Sequence, residues 1–376
     1  MESEVFRPYR WRNSVHRSGN FVGLAQQSSR PGQRRRLRFE ILSRLQNPIL
    51  VLFDVMHDYK AGATKYVVGA YPASPAHSNW NPELEHEFFD TLSNDSRIGS
   101  LELPWLGSIH PHDDAWLIKH FPNELSAVIT DIPFVMSRVS QSSNYGLASG
   151  DKDGRRAAIG DVQKINDAVR KFNDSRQRKV VSALELHTAP RKDGYVDSLA
   201  SSLEEIAAWN WDGASLVIEH CDAWIEGQQP EKGFLTIDQE IEAIRKSGVD
   251  VGIFINWGRS AIELRDADKV AQQIATVRES GLLQGLIFSG ASAQDGIFGP
   301  AWIDAHHPFR KSERHLYGDP LSLLTEAQAE MAINAAGTVP WLGIKLGWLK
   351  SVEGTIRQRS QMISSALDAL DEARGK

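Results

Sequence analysis

The chain has 376 residues, 41% of them hydrophobic and 24% charged, with a formal net charge of −6. This is the composition of an ordinary soluble globular protein, and the acidic balance gives no general reason to expect nucleic acid as a partner. A single cysteine excludes an intrachain disulfide framework and a cysteine-rich zinc site, and suits a reducing, cytoplasmic compartment; no apolar run approaches the roughly 20 residues that span a bilayer.

Charge is unevenly spread. Residues 1–46 hold ten arginines, no lysine and only Glu2, Glu4 and Glu40 as acids, densest in "RPGQRRRLRFE". A basic arm for an anionic surface or an Arg-rich targeting presequence has this composition. The favoured expectation is an appendage over 1–63, poorly ordered or translated from a start codon placed too far upstream, followed by one folded domain over 64–376. Within the appendage, "NPILVLFDVMHDY" is the one apolar stretch able to pack on the body.

From Lys65 onward short apolar runs alternate with helical patterns. The runs are KYVVGAY (65–71), GSLEL (99–103), SAVITDI (126–132), KVVSALEL (179–186), ASLVIEH (214–220), DVGIFIN (250–256), QGLIFSG (284–290) and WLGIKLG (341–347). Between them lie PELEHEFFDTL, DDAWLIKHF, a long segment from Asp151, SLASSLEEIAAW, TIDQEIEAIRKSG, DADKVAQQIATVRESG, LSLLTEAQAEMAIN and a terminal helix from about Val352. Thr236 with Gln239 is a capping-box pattern, and Gly248 and Gly281 stand where helices should end. Strands apolar on both faces belong to a parallel sheet covered by helices. Eight βα units in this length predict a (β/α)₈ TIM barrel, with a doubly wound open sheet as the alternative. No GxGxxG or P-loop follows a strand, which weakens the nucleotide-binding versions.

In such barrels catalytic groups sit at the C-terminal strand ends. Here nearly every run ends in polar chemistry: Tyr71, Glu102, Asp131, Glu185 with His187, Glu219 with Asp222, Asn256 with Arg259, Ser289 and Lys345. Residues two apart on a strand share a face. Glu185 and His187 therefore point together, whereas Glu219 with Cys221 is separated from His220 with Asp222. Unless the strand ends in a bulge, an inward Glu219 means that His220 should pack toward helices or a loop, which argues against a Glu-His-Asp triplet on one ion. Cys221 reads as a buried filler. In "SIHPHDDAW" His112 reads as structural, Asp113 as a helix cap, and His110 stays open. "AHHPF" (His306, His307) lies in a connection long enough to be a lid. Six tryptophans (80, 105, 224, 257, 302, 348) follow strands, where aromatic faces suit the C–H surface of a sugar ring.

"LEL", "LELH" and "LVIEH" at strand ends resemble the xylose-isomerase-like TIM barrels. The stretches "VVGAYPASP", "LELPWLGSIHPHDDAWL", "VITDIP", "GLASGDKDGRRAAI", "VIEHCDAW" and "PEKGF" are similar to a bacterial family of unknown function beside that superfamily, over about residue 65 to the C-terminus. The superfamily resemblance implies a divalent metal held by a glutamate ending strand five, an Asp with a nearby His around strand six, a His on strand seven and a Glu on strand eight. Glu219 matches the first position. Asn256, Arg259, Ser289 and Lys345 stand at the others, and they would weaken an oxygen-ligand site.

The expectation is therefore an isomerase- or epimerase-like carbohydrate enzyme acting on a sugar or sugar acid by proton abstraction next to a carbonyl. Glu185, His187 and Glu219 are the expected catalytic residues, with Glu185 or Glu219 as a base of raised pKa and His187 as shuttle. Glu102, Trp105, Asp131, Trp224, Asn256, Trp257, Arg259 and Lys345 are expected to bind substrate, Arg259 and Lys345 through an anionic group. No cofactor is assigned; a divalent metal on Glu185, His187 and Glu219 is the weaker option. The partner is a small molecule, with neither membrane nor nucleic acid for the barrel, and a homo-oligomer is left open. The alternatives are a Schiff-base lyase using Lys345, a two-carboxylate hydrolase and a non-catalytic sugar-binding barrel.

Overall fold

The computed structural model describes residues 65–349 and 351–375. The appendage expected over 1–63, with its apolar stretch, lies outside them. Eight strands follow in order: β1 (Tyr66–Gly69), β2 (Ile98–Pro104), β3 (Ser126–Thr130), β4 (Val181–Leu186), β5 (Ser215–His220), β6 (Val251–Asn256), β7 (Leu283–Phe288) and β8 (Trp341–Lys345). All neighbours are parallel, and β8 pairs with β1, so the sheet closes. Closure removes the open-sheet alternative and gives the expected (β/α)₈ barrel.

The surrounding helices are α1 (Pro82–Ser93), α2 (Asp114–His120), α3 (Ile132–Gln141), α4 (Lys152–Arg176), α5 (Val196–Ala207), α6 (Ile237–Ser247), α7 (Trp257–Leu264), α8 (Val270–Glu279), α9 (Glu326–Ala336) and α10 (Ile356–Ala373). Their starts are chemically specified. Asn81, Asp113 and Asp151 accept the N–H of Leu84, Trp116 and Gly154, and Thr236 with Gln239 forms the reciprocal capping box. Each such cap is worth about 1 kcal/mol. Gly248 ends α6 at φ 65°, the left-handed conformation that glycine adopts without a Cβ penalty. Two helices escape the sequence pattern. Both α3 and α7 begin directly at a strand end, at Asp131 and Asn256, so their apolar residues merge with the preceding run.

Strand alternation divides the barrel interior into two levels. Val67, Val128, Ala183, Val217, Phe254 and Ile287 form one buried apolar cluster in the lower half, with Trp341 against it. Two residues further along these strands stand Gly69, Thr130, Glu185, Glu219, Asn256 and Ser289, joined by Glu102 of β2 and Lys345 of β8. The polar side chains of this upper level are 0–1% exposed. An apolar plug thus lies beneath a dry polar layer at the C-terminal end of the barrel. The outward strand residues, such as Ile129, Leu184, Ile218, Ile255 and Ile344, pack into the larger cluster shared with the helices.

Candidate active site

Lys345 is the hub of the upper level. Its Nζ lies 2.5 Å from Glu102 Oε1 and 3.3 Å from Glu219 Oε1, and the face of Tyr71 covers it with the ring centroid at 5.5 Å. Burial alone would lower the lysine pKa; Glu102 and then Glu219 overcome it and hold the ammonium well above its usual range. The stem fits because Gly69 is its register partner on β1: a Cβ there would stand 2.8 Å from Lys345 Cγ. For Glu102, burial pushes the carboxyl up while Lys345 pulls it down, and the 2.5 Å approach supports the ionised form.

Glu219 is fully engaged. Arg259 Nη1 is 2.6 Å from Oε1, and Thr130 Oγ1 donates to Oε2 at 2.8 Å. Burial works to raise this carboxyl, but Arg259 and then Lys345 win and hold it far below the carboxylate range. The expectation of Glu219 as a base of raised pKa is therefore corrected: two cations make it a poor proton acceptor. Arg259 reaches inward because Asn256 caps α7. Asn256 Oδ1 accepts the N–H of Gly258 and Arg259 and the hydroxyl of Ser289, leaving only Nδ2 without a partner in the chain.

Arg259 Nε also donates to Asp304 Oδ2 at 3.0 Å, and Lys232 Nζ lies 2.6 Å from the same oxygen. Lys232, Asp304, Arg259, Glu219, Lys345 and Glu102 thus form an alternating series of three cations and three carboxylates. It runs from the β5–α6 connection, through the long β7–α9 connection, into the barrel. Against burial, Lys232, His306 and Arg259 hold Asp304 well below its usual range, with His306 Nδ1 at 3.2 Å from Oδ1. The anion-binding role expected of Arg259 and Lys345 is corrected by the same contacts, since both are neutralised by carboxylates of the chain. Sequence reasoning missed Thr130, Lys232 and Asp304; only the "PEKGF" stretch, which contains Lys232, offered a signal.

In the other half of the layer burial favours the neutral forms. Burial, then Glu102 and Glu219, raise Glu185 well above the carboxylate range. Burial, then Glu219, does the same to Asp131. Burial lowers His187 to about 3, so its imidazole is neutral near pH 7; its Nδ1 is 3.8 Å from Asp131 Oδ2, and its ring lies beside Tyr145. Both oxygens of Glu185, both nitrogens of His187, Asp131 Oδ1 and Trp105 Nε1 are buried without a hydrogen-bond partner in the chain. Buried polar atoms are normally satisfied. Their concentration at the C-terminal ends of β2, β3 and β4 marks where a polar ligand would bond.

The remaining candidates are structural. Trp257 is wholly buried in the main apolar cluster, and Trp224 is half-buried under Lys192, whose Nζ is 5.2 Å from its ring. His220 points away from the mouth, as alternation requires, with Nδ1 2.9 Å from Glu240 and Nε2 3.0 Å from Glu263. Asp222 accepts the N–H of Glu231 and Lys232. Burial raises the Cys221 thiol, which keeps it inert. His110 Nδ1 accepts the N–H of Asp113 and His112, closing the loop that starts α2.

Beside the upper layer lies a cavity of about 700 Å³, lined by Tyr71, His77, Phe298, Asp304, His306 and Trp348 among others. Tyr71 and Asp304 separate it from Lys345 and Arg259. A second cavity of about 650 Å³ opens at the strand starts, around Trp211, Asp250 and Gln284. No residue with an unpartnered buried polar atom lines it, whereas Asp304 and His306, each with one such atom, line the first. Among the described residues no three His, Cys, Asp or Glu side chains are gathered to hold one metal ion, and an ion at Glu219 would face Arg259 and Lys345. A set of Glu185, His187 and Glu219 does not fit a divalent cation.

A family model described as a domain of unknown function, DUF4862, matches residues 67–361. The chain belongs to this family. It is 38% identical over 290 residues to an uncharacterised protein of Salmonella typhimurium, covering 75% of this chain and 89% of that one. A putative xylose isomerase from Rhodospirillum rubrum superposes with TM-score 0.51 at 10% identity, over 83% of this chain and 99% of that one. A D-allulose 3-epimerase from Methylomonas sp. gives 0.50 at 9% identity, over 83% and 99%. At these identities the likeness establishes the fold alone: this domain is a TIM barrel similar to those two structures. Among the described residues no helix is long and apolar enough to cross a membrane.

Proposed function

We propose that this barrel catalyses proton transfer next to the carbonyl of an uncharged sugar, in the manner of an isomerase or epimerase. The observation that carries the reading is the group of unpartnered, fully buried polar atoms on Glu185, His187, Asp131 and Trp105. Glu185, whose proton affinity is raised by burial, exchanges the proton with the substrate carbon, while the neutral His187 imidazole hydrogen-bonds the sugar oxygen beside it. Trp105 Nε1–H and the Asn256 amide supply neutral hydrogen bonds that orient hydroxyls. The charge balance of the neighbouring series, three cations against three carboxylates, argues for a neutral sugar over a sugar acid. Sugar isomerases and epimerases among barrels of this fold accord with the reading.

The rivals fare less well. A Schiff base needs a neutral lysine, and Lys345 is held charged by two carboxylates. A two-carboxylate hydrolase would draw on the split between Glu185 and Glu219. Thr130, Arg259 and Lys345 already occupy the Glu219 oxygens, however, and blunt it as nucleophile or base. The test is hydrogen exchange: the full chain is incubated with a panel of ketoses and aldoses in D₂O, and carbon-bound deuterium is read by NMR. Exchange with at least one sugar, lost in Glu185→Gln and in His187→Asn, is expected. No exchange with any of them refutes the proposal.

A further inference from the structure

We infer that Lys345 is a built-in cation, standing at the point where a divalent ion would otherwise join the mouth carboxylates, so that this barrel holds Glu102 and Glu219 together without a metal. Glu102, Asp131, Glu185 and Glu219 share one layer and are 0–2% exposed. Such a concentration of acids in a dry interior demands positive charge or protonation. The chain provides the charge itself. Lys345 Nζ bridges Glu102 Oε1 at 2.5 Å and Glu219 Oε1 at 3.3 Å. A divalent ion bridging these carboxylates would need an oxygen of each within about 2.0–2.6 Å of one point, and the ammonium nitrogen fills the space between them. Glu219 is closed from its other sides by Arg259 Nη1 at 2.6 Å on Oε1 and by Thr130 on Oε2.

The lysine is also built for, and not merely accommodated. Its stem runs over Gly69, where any Cβ would come within 2.8 Å of Cγ and 3.0 Å of Cβ. The Tyr71 ring closes over the ammonium, and the side chain is wholly buried. An organic cation fixed in this way differs from a bound ion in one respect that matters: it cannot be stripped, exchanged or titrated by chelators.

This inference goes beyond the proton-transfer reading and does not depend on it, because metal content and unfolding temperature decide it, not turnover. The full chain is purified without chelator, its metals are measured by mass spectrometry, and its unfolding midpoint is recorded with EDTA and with Mg²⁺, Mn²⁺ or Co²⁺. The wild type is expected to hold no stoichiometric divalent metal and to show the same midpoint in every condition. Lys345→Met removes the ammonium and leaves Glu102 facing Glu219; this variant is expected to gain a midpoint increase with Mn²⁺ or Co²⁺ that EDTA reverses. Should the variant not fold, the wild-type metal content and midpoints still decide the matter. One equivalent of metal in the wild type, with a midpoint lowered by EDTA, overturns the inference. So does a folded Lys345→Met that ignores every divalent ion.

Discussion

His220 lies on the outer face of β5 between the carboxylates of Glu240 on α6 and Glu263 on α7, and all three are at most 7% exposed. Thr188 donates to Glu240; Gln273 Nε2 and the Ala223 N–H donate to Glu263. Burial is the largest single influence on the imidazole and acts to lower its pKa, yet Glu240 and Glu263 together hold it at about 10, against an ordinary 6.5. A rise of that size corresponds to about 5 kcal/mol of favourable charge interaction. Burial still raises Glu240 despite the imidazolium beside it, so part of that gain is offset by the cost of the buried carboxylate. Replacing His220 with Gln leaves two carboxylates with no cation between them, and about 3–5 kcal/mol of stability should be lost near pH 7. The sign of the pH dependence follows from the raised pKa. The contribution of His220 is complete below pH 6.5 and is lost as pH rises toward 10, at up to about 1.4 kcal/mol per pH unit. Guanidinium unfolding of wild type and His220→Gln at pH 6, 7, 8 and 9 measures the difference, and imidazole ¹⁵N NMR follows the proton directly. A ring that titrates near 6.5, or a variant within about 1 kcal/mol of wild type at pH 7, would refute the argument.

Burial raises Glu85 to about 7, against one weak hydrogen bond from Ser74 at 3.4 Å. Its folded pKa exceeds the unfolded one, so wild-type stability declines as pH rises from 4.5 through 7; Glu85→Gln should stabilise by up to about 3 kcal/mol at pH 8 and have little effect at pH 4, as read by thermal unfolding. Gly258 in the first turn of α7 has Ser289 O and Oγ 2.6 Å from where a Cβ would stand, and Gly258→Ala should cost about 1–3 kcal/mol in denaturant unfolding by pushing α7 off the end of β7. Arg259→Met leaves Glu219 and Asp304 short of a partner and should cost about 3–5 kcal/mol. Combined with Asp304→Leu in a double-mutant cycle the effects should be non-additive, and strictly additive values would contradict the shared contact.

All eight strands were legible because a covered parallel sheet demands continuous apolar runs. Alternation then separated Glu219 from His220 correctly, since both occupy regular strand positions in "LVIEH". The two helices that went unread, α3 and α7, follow strands with no intervening turn, so their first apolar residues continue the strand's run. The ionic partners were harder for a different reason. Asp304 and Lys232 lie in connections without periodicity, and each meets Arg259 or its partner only through the closed barrel. The protonation of Glu219 was unreadable because it depends on Arg259 and Lys345, both remote in sequence. A carboxylate at a strand end is visible in a sequence; what neutralises it is not.

The alternating series through the mouth also limits how this family can vary. Asp304 serves both Lys232 and Arg259, and Glu219 serves both Arg259 and Lys345. A charge lost at one of these positions strands a neighbour, so surviving substitutions should arrive in compensating pairs. Residues 102 and 345, at opposite ends of the domain, should then vary as a unit, and so should 232 and 304 in two separate loops. Relatives that keep Glu219 but lose Lys345 would have to find their positive charge elsewhere, and that change would divide the family into lineages with different mouths.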